Sequence, residues 1–364
     1  MKYFFYYIFL LITLVTRAQE IEWYDVGKMH IQGSPSAEVS NPFQRFPDSL
    51  KNKVRERVWE LSQNSTGLQL NFSTNSSVIM LRYQTEGDLG FPHMPPTGVS
   101  GVDLYLKDSL QNWQWAKGQF NFGDTITYNF KLTDEQVKGY NAQYLLYLPL
   151  YANVKWMKIG VHKNSKFIES PFNEASPIVV YGTSISQGAC AGRPGTAWTS
   201  RLSRQINKPV LNFGFSGNGR LEKEIIEYIS RIDSQVIILD CLANFTPGQS
   251  LTAIDAQQRL VQSVLDIRQI KPYIPIILTA HAGYPHGELT PSLKKLYTTL
   301  NKVNEQVYEQ LLEAGVKNLH IITFEELGLT MDDFVDGVHP NDAGMLKYST
   351  AYHKKLTEIL DFED

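Results

Sequence analysis

The feature that most constrains this chain is a change of hydrophobic period near Ser170. Upstream, apolar residues recur at every second position: Leu68, Leu70 and Phe72; Val102, Leu104 and Leu106; Ile126, Tyr128 and Phe130; Val154 and Trp156. Clusters of Gly, Asn, Asp and Pro separate these runs. A period of two sends alternate side chains to opposite faces, so each run reads as a half-buried antiparallel strand. Helical spacing is sparse there, with residues 48–61 the one good helical or turn candidate. Residues 19–172 are therefore expected to form a β-sandwich of jelly-roll type.

Downstream the alternation gives way to compact apolar runs at 178–181, 210–213, 236–239, 276–278 and 319–324. Helical patterns lie between them, around 198–206, 221–232, 260–267 and 292–312, with a last one at 341–360. A strand that is apolar on both faces needs cover on both faces, and parallel strands need crossover helices to supply it. Residues 173–364 are expected to form an α/β domain, a doubly wound parallel sheet of flavodoxin-like type.

The first eighteen residues stand apart from both units. Lys2 precedes an unbroken apolar run from Tyr3 to Val15, closed by Thr16-Arg17-Ala18. The run is too short to span a bilayer, and its small residues suit signal peptidase, so residues 1–18 read as an export signal cleaved before Gln19. No cysteine follows the run, so no lipid anchor is expected. The expected location is periplasmic or extracellular. With 34 Lys and Arg against 37 Asp and Glu, the net charge is −3 and no block of like charges occurs. A nucleic-acid partner is thereby disfavoured. The two cysteines, Cys190 and Cys241, have no zinc-finger spacing; a disulfide in an exported chain and two buried thiols are equally compatible with them. The oligomeric state is left open.

Ligands of open parallel sheets collect at the carboxyl ends of the strands. There the sequence places Gly182-Thr183-Ser184, Gly214-Phe215-Ser216-Gly217, Asp240 to Asn244, Thr279-Ala280-His281 and, before the last helix, Asp336-Gly337-Val338-His339. Asp336 and His339, three apart on one turn, can hold a carboxylate against one imidazole nitrogen and leave the other free to take a proton from a hydroxyl. Ser184 supplies such a hydroxyl on a turn leading into a helix. Its own N–H, that of Gly217 and the Asn244 amide can converge on an oxyanion. A serine, an oriented base and a set of donors describe acyl transfer. Singly, each has a plainer explanation as a cap or turn former.

Four blocks, Gly182-Thr183-Ser184-Ile185, Asn212 to Gly217, Asp240 to Asn244 and Asp336 to His339, together resemble the GDSL or SGNH hydrolases. The resemblance covers about 176–364, and Gly101-Val102-Asp103-Leu104-Tyr105 resembles a motif of the β-domain that precedes one bacterial branch of that family. It implies Ser184, His339 and Asp336 as a catalytic triad, Ser184, Gly217 and Asn244 as the oxyanion hole, and no cofactor. Similar two-domain enzymes often deacetylate carbohydrates, so a small-molecule or glycan ester is the expected partner. A lipase or thioesterase, or a carbohydrate-binding surface protein with a degenerate hydrolase domain, remains the alternative. Thr183, Leu242-Ala243 and Phe245 depart from the family's usual residues without removing a catalytic group. Ser186 takes the last position of what would be Gly-x-Ser-x-Gly, which argues against an α/β-hydrolase elbow.

Several other residues invite a role. His281, after the fourth strand, is a substrate-contact candidate or a structural histidine. No compact ligand motif joins His281, His286, His339 and Asp240, so no metal is expected. Arg193 either meets a substrate carboxylate or pins its loop through backbone carbonyls. Trp113 and Trp115 share a strand face, with core packing favoured over sugar stacking. The apolar loop 90–96 is expected to pack over the top of the sheet, bringing His93 to the substrate pocket.

Overall fold

The computed structural model describes residues 20–34, 38–133, 142–170 and 175–360. The expected export signal, 1–18, lies outside the described residues. Two five-stranded antiparallel sheets form the N-terminal unit. One runs in the order Ile21–Asp25 (β1), Asn153–His162 (β9), Val78–Glu86 (β3), Ile126–Lys131 (β7), Gly118–Asn121 (β6). The other runs Phe167–Glu169 (β10), Gln69–Thr74 (β2), Gln143–Tyr147 (β8), Asp103–Lys107 (β4), Trp113–Ala116 (β5). Their inward residues, including Leu70, Phe72, Leu81, Leu104, Phe130, Leu146 and Ile159, share one core, as the period of two requires of a sandwich.

The C-terminal unit is a five-stranded parallel sheet in the order Val210–Gly214 (β12), Ile178–Gly182 (β11), Val236–Asp240 (β13), Ile276–Thr279 (β14), Leu319–Ile322 (β15). Every residue of β11, β12, β13 and β14 is buried. Alternate residues serve opposite faces. Val179, Tyr181, Ile237 and Leu239 pack with helices Lys223–Arg231, Ala253–Ile270 and Pro291–Glu313. Ile178, Val180, Val236 and Ile238 pack with helices Trp198–Ile206 and Asp342–Ile359. The chain goes from β11 outward to β12, then returns past β11 to β13. That reversal opens a crevice at the carboxyl ends of β11 and β13, which is where such sheets bind ligands.

The 48–61 segment holds both a turn and a helix: a 3-10 turn at Asp48–Leu50 is followed by a helix at Glu56–Ser62, after extended backbone at Arg55. Its apolar residues Leu50, Val58 and Leu61, with Phe46 just before them, leave the sandwich and join one core face of the parallel sheet. Arg45 goes with them. It is wholly buried, its guanidinium donating to the carbonyls of Leu61, Asn64, Asn212 and Gly214 at 2.6–3.0 Å while lying over the Phe215 ring. Burial pushes this guanidinium down to about 9.

A second clasp uses the Gly101 to Tyr105 motif. The buried Asp103 carboxylate accepts from Trp115 Nε1, from Gly195 N at 3.0 Å and from Arg193, which also donates to the Tyr105 hydroxyl at 2.7 Å. Arg193 thus pins its loop through a carboxylate of the sandwich, not through backbone carbonyls. Trp115 is 48% exposed and lies under the Arg193 guanidinium, so core packing describes Trp113 better than Trp115.

Candidate active site

The site begins where β11 ends. Thr183 caps the short helix Ser184–Gln187, its hydroxyl accepting from Ile185 N at 3.3 Å, and Gly188 closes that helix in the left-handed region. Ser184 is thereby held at the top of the sheet, 7% exposed. Its Oγ lies 2.8 Å from His339 Nε2, and His339 Nδ1 lies 2.7 Å from Asp336 Oδ2. The other Asp336 oxygen accepts from the backbone N–H groups of Val338 and His339 at 3.0 and 2.9 Å. A three-residue spacing lets one carboxylate fix both the ring and the loop that carries it. Gly337, at φ +82°, supplies the left-handed turn between them. Burial acts to raise the Asp336 carboxyl, but the hydrogen bonds from His339 and Val338 outweigh it and hold it below the ordinary value. Asp336 does not cap the final helix; Asn341 does, accepting from Ala343 N and Gly344 N.

The proposed oxyanion donors lie on the neighbouring strand ends. Gly217 turns at φ +67°, and neither its N–H nor that of Ser184 has an acceptor among the described residues. Asn244 is 6% exposed, its amide donating to the Gly219 carbonyl at a loose 3.3 Å. Gly219 itself has no room for a side chain: a Cβ there would lie 2.0 Å from the Gly182 carbonyl oxygen. This contact draws the turn after β12 onto the turn after β11.

A cleft of about 530 Å³ opens beside His339 and Ser216. Phe91, His93 and Tyr151 line it, together with the charged Arg57, Glu60 and Glu86. All six belong to the N-terminal half of the chain. The His93 ring is stacked on that of His339, centroids 5.9 Å apart, while Met94 is buried against the α/β core. The loop at 90–96 therefore both seals the junction and reaches the cleft.

His281 does not reach the cleft. It is 2% exposed, its Nδ1 accepts from Gly283 N at 2.9 Å, and its ring packs on Tyr284 and Tyr297. Burial drives its imidazole down to about 4, so it stays neutral. Cys190 and Cys241 are two buried free thiols packed on opposite faces of the sheet, which excludes the disulfide alternative in this structure. Burial, reinforced by the Asp336 charge, pushes the Cys190 thiol up to about 12. Among the described residues the four donors His93, Cys190, Asp336 and His339 are grouped closely enough to hold a metal, a set that includes neither His281 nor Asp240.

Sequence patterns gave no bracing role to the residues that hold this arrangement together. Asn212 donates to the Ser186 carbonyl at 2.6 Å and accepts from Gly214 N. Gln187 links Asn64 of the N-terminal unit to Ser216 N. Tyr151, also N-terminal, donates its hydroxyl to the Ser184 carbonyl at 3.2 Å. Ser186 donates to Asp240 at 2.8 Å; burial raises that carboxyl to about 7, against the opposing effect of the Ser186 and Tyr352 hydroxyls.

The family model of the GDSL-like lipase/acylhydrolases matches residues 175–357, and the model for the N-terminus of esterases of the SGNH hydrolase type matches residues 21–167. The chain belongs to the GDSL-like lipase/acylhydrolase family and is a carboxylic ester hydrolase. Among solved structures it is similar to a protein from Bacteroides ovatus assigned as a GDSL-like lipase, at 31% identity over 94% of this chain and 99% of that one, with a TM-score of 0.86. It shares its fold with a salicylyl-acyltransferase from a tetracycline biosynthetic pathway (16% identity, 95% and 100% covered, TM-score 0.75). The same holds for a family two carbohydrate esterase from Cellvibrio japonicus (11% identity, 95% and 99% covered, TM-score 0.59). No curated protein matches the chain.

Proposed function

We propose that the protein is an exported serine esterase that removes acetyl or another short acyl group from a carbohydrate. The observation that carries this reading is the continuous hydrogen-bonded line from Asp336 through His339 to Ser184, ending beside the cleft. His339 Nε2 takes the hydroxyl proton as Ser184 Oγ attacks the ester carbonyl, and Asp336 stabilises the imidazolium that results. The N–H groups of Ser184 and Gly217 and the Asn244 amide receive the developing oxyanion. His339 then returns the proton to the leaving alkoxide, and water repeats the sequence on the acyl-enzyme.

The carbohydrate part of the reading rests on the cleft walls. Charged Arg57, Glu60 and Glu86 offer hydrogen bonds to hydroxyls, and Phe91 and Tyr151 offer apolar faces. The fold is shared with carbohydrate esterases. Export is supported by the apolar run at 3–15 and its small-residue end, and no helix among the described residues is long and apolar enough to cross a membrane.

Hydrolysis of para-nitrophenyl acetate tests the mechanism. Ser184→Ala should lose most of kcat, on the order of 10⁶-fold where triad residues act as a unit, and a serine-directed phosphonate should label Ser184. Labelling of Ser186 or Ser216 instead would overturn the assignment. A screen of acetylated glycans against long-chain and thioester substrates, read by release of the acid, tests the substrate class; preference for the latter would make the protein a lipase or thioesterase.

A further inference from the structure

Ester hydrolysis does not use all of the chemistry gathered beside the cleft. His93, Cys190, Asp336 and His339 each offer one donor atom, and the four atoms lie within 4.8 Å of one another. They come from three separate segments: a loop of the N-terminal unit, the turn behind the nucleophile helix and the loop before the last helix. The Cys190 thiol is held by its contact with the His93 carbonyl at 3.4 Å, and the His93 ring faces that of His339. The proton relay accounts for Asp336 and His339. It gives no role to a thiol and a second imidazole at the same point.

We propose that this cluster is a binding site for a soft divalent cation, zinc above all, and that its occupation switches the hydrolase off. The proposal deepens the triad reading above and rests on it for the inhibition, though not for the binding. Two imidazole nitrogens, a thiolate and a carboxylate oxygen form a donor set that zinc accepts in four-coordinate sites; magnesium and calcium require oxygen donors. Tetrahedral zinc with bonds of about 2.0–2.3 Å keeps its ligand atoms roughly 3.3–3.8 Å apart. The cluster therefore closes on the ion with shifts on the order of 1 Å, and the exposed His93 side chain can supply much of that movement. Binding forms a zinc–sulfur bond and releases the thiol proton to solvent, with no transfer of electrons. The Asp336 carboxylate that disfavours a bare thiolate there attracts a dication. Once His339 and Asp336 are ligands, Ser184 has no base. Four protein ligands also leave no open position for an activated water, so the metal blocks the reaction and does not take it over.

Chelator-treated, full-length protein can be titrated with Zn²⁺ against a chromophoric chelator, and with Co²⁺ as a spectroscopic substitute. One equivalent should bind, and the cobalt form should show the intense visible bands of a tetrahedral site with a thiolate-to-cobalt charge-transfer band. Zinc should inhibit para-nitrophenyl acetate hydrolysis, with recovery on adding EDTA. Cys190→Ser should keep basal hydrolysis, lose the charge-transfer band and weaken zinc binding by at least about tenfold. His93→Ala, at an exposed position that tolerates truncation, should weaken binding similarly, and Ser184→Ala should bind as the wild type does. Equal zinc inhibition of wild type and Cys190→Ser, or a cobalt complex without the thiolate band, would overturn the proposal. A normal cobalt spectrum in a protein without hydrolysis would instead overturn the triad reading and leave the metal site standing.

Discussion

Asp240 offers a quantitative test of how the sheet's upper edge is built. Its carboxyl is buried at the end of β13, accepts from Ser186 at 2.8 Å, and has its pKa raised from 3.8 to about 7, chiefly by burial. An acid whose folded pKa lies above its unfolded value binds more protons when folded. The stability it contributes is therefore present at low pH and is lost as pH rises from about 4 through about 7. Between pH 5 and pH 8 the loss works out at roughly 2.5 kcal/mol, using 1.36 kcal/mol per pKa unit over the part of the window crossed. For cooperative unfolding of a chain this long, that equals a shift of about 3–4 °C in Tm. Asp240→Asn keeps an acceptor for Ser186 but cannot ionise. Thermal unfolding of both proteins at pH 5 and pH 8, followed by circular dichroism, should show the variant gaining on the wild type by about that amount as pH rises. Parallel pH profiles would refute the reasoning and mean that water or a rearranged Ser186 solvates the carboxylate.

Other expectations follow from single contacts. Asn244→Ala should lower kcat by roughly 10²–10³-fold with little change in KM; an effect confined to KM would remove Asn244 from the oxyanion hole. Tyr151→Phe deletes a neutral hydrogen bond to the Ser184 turn, worth about 1 kcal/mol, and should lower kcat several-fold without changing KM; unchanged kinetics would make Tyr151 a wall residue only. Asp103→Asn removes the carboxylate beneath the partly solvated Arg193 and should cost about 2 kcal/mol or more. Because Asp103 joins the two units, a single unfolding transition should move as a whole, whereas a transition that splits would show that the clasp alone couples them.

What the sequence determined by itself is whatever depends on local period and local spacing. Alternation at Leu68, Leu70 and Phe72 means one wet and one dry face, and continuous runs such as Ile178 to Tyr181 mean strands covered on both sides. The helix positions follow from the same logic, though not every bound, as Ala253–Ile270 begins well before the expected 260–267; so does the Asp336-x-x-His339 turn, where the Asp336 carboxylate takes hydrogen bonds within four residues. The 48–61 segment shows the limit of that logic: its apolar residues answer to the core of the distant parallel sheet, which only the fold brings within reach. Other decisions were left to the tertiary structure because their partners are far apart in the chain. Arg45 reaches the carbonyls of Asn212 and Gly214, Asp103 reaches Arg193, and Tyr151 reaches the Ser184 carbonyl, at separations that no pattern records. His281 and His93 make the point in opposite directions. Both are histidines near strand ends or loops, yet one is buried among tyrosines and the other stands beside His339. The apolar loop 90–96 gave His93 a signal toward the cleft, whereas only the packing around His281 shows that this imidazole is enclosed by Tyr284 and Tyr297.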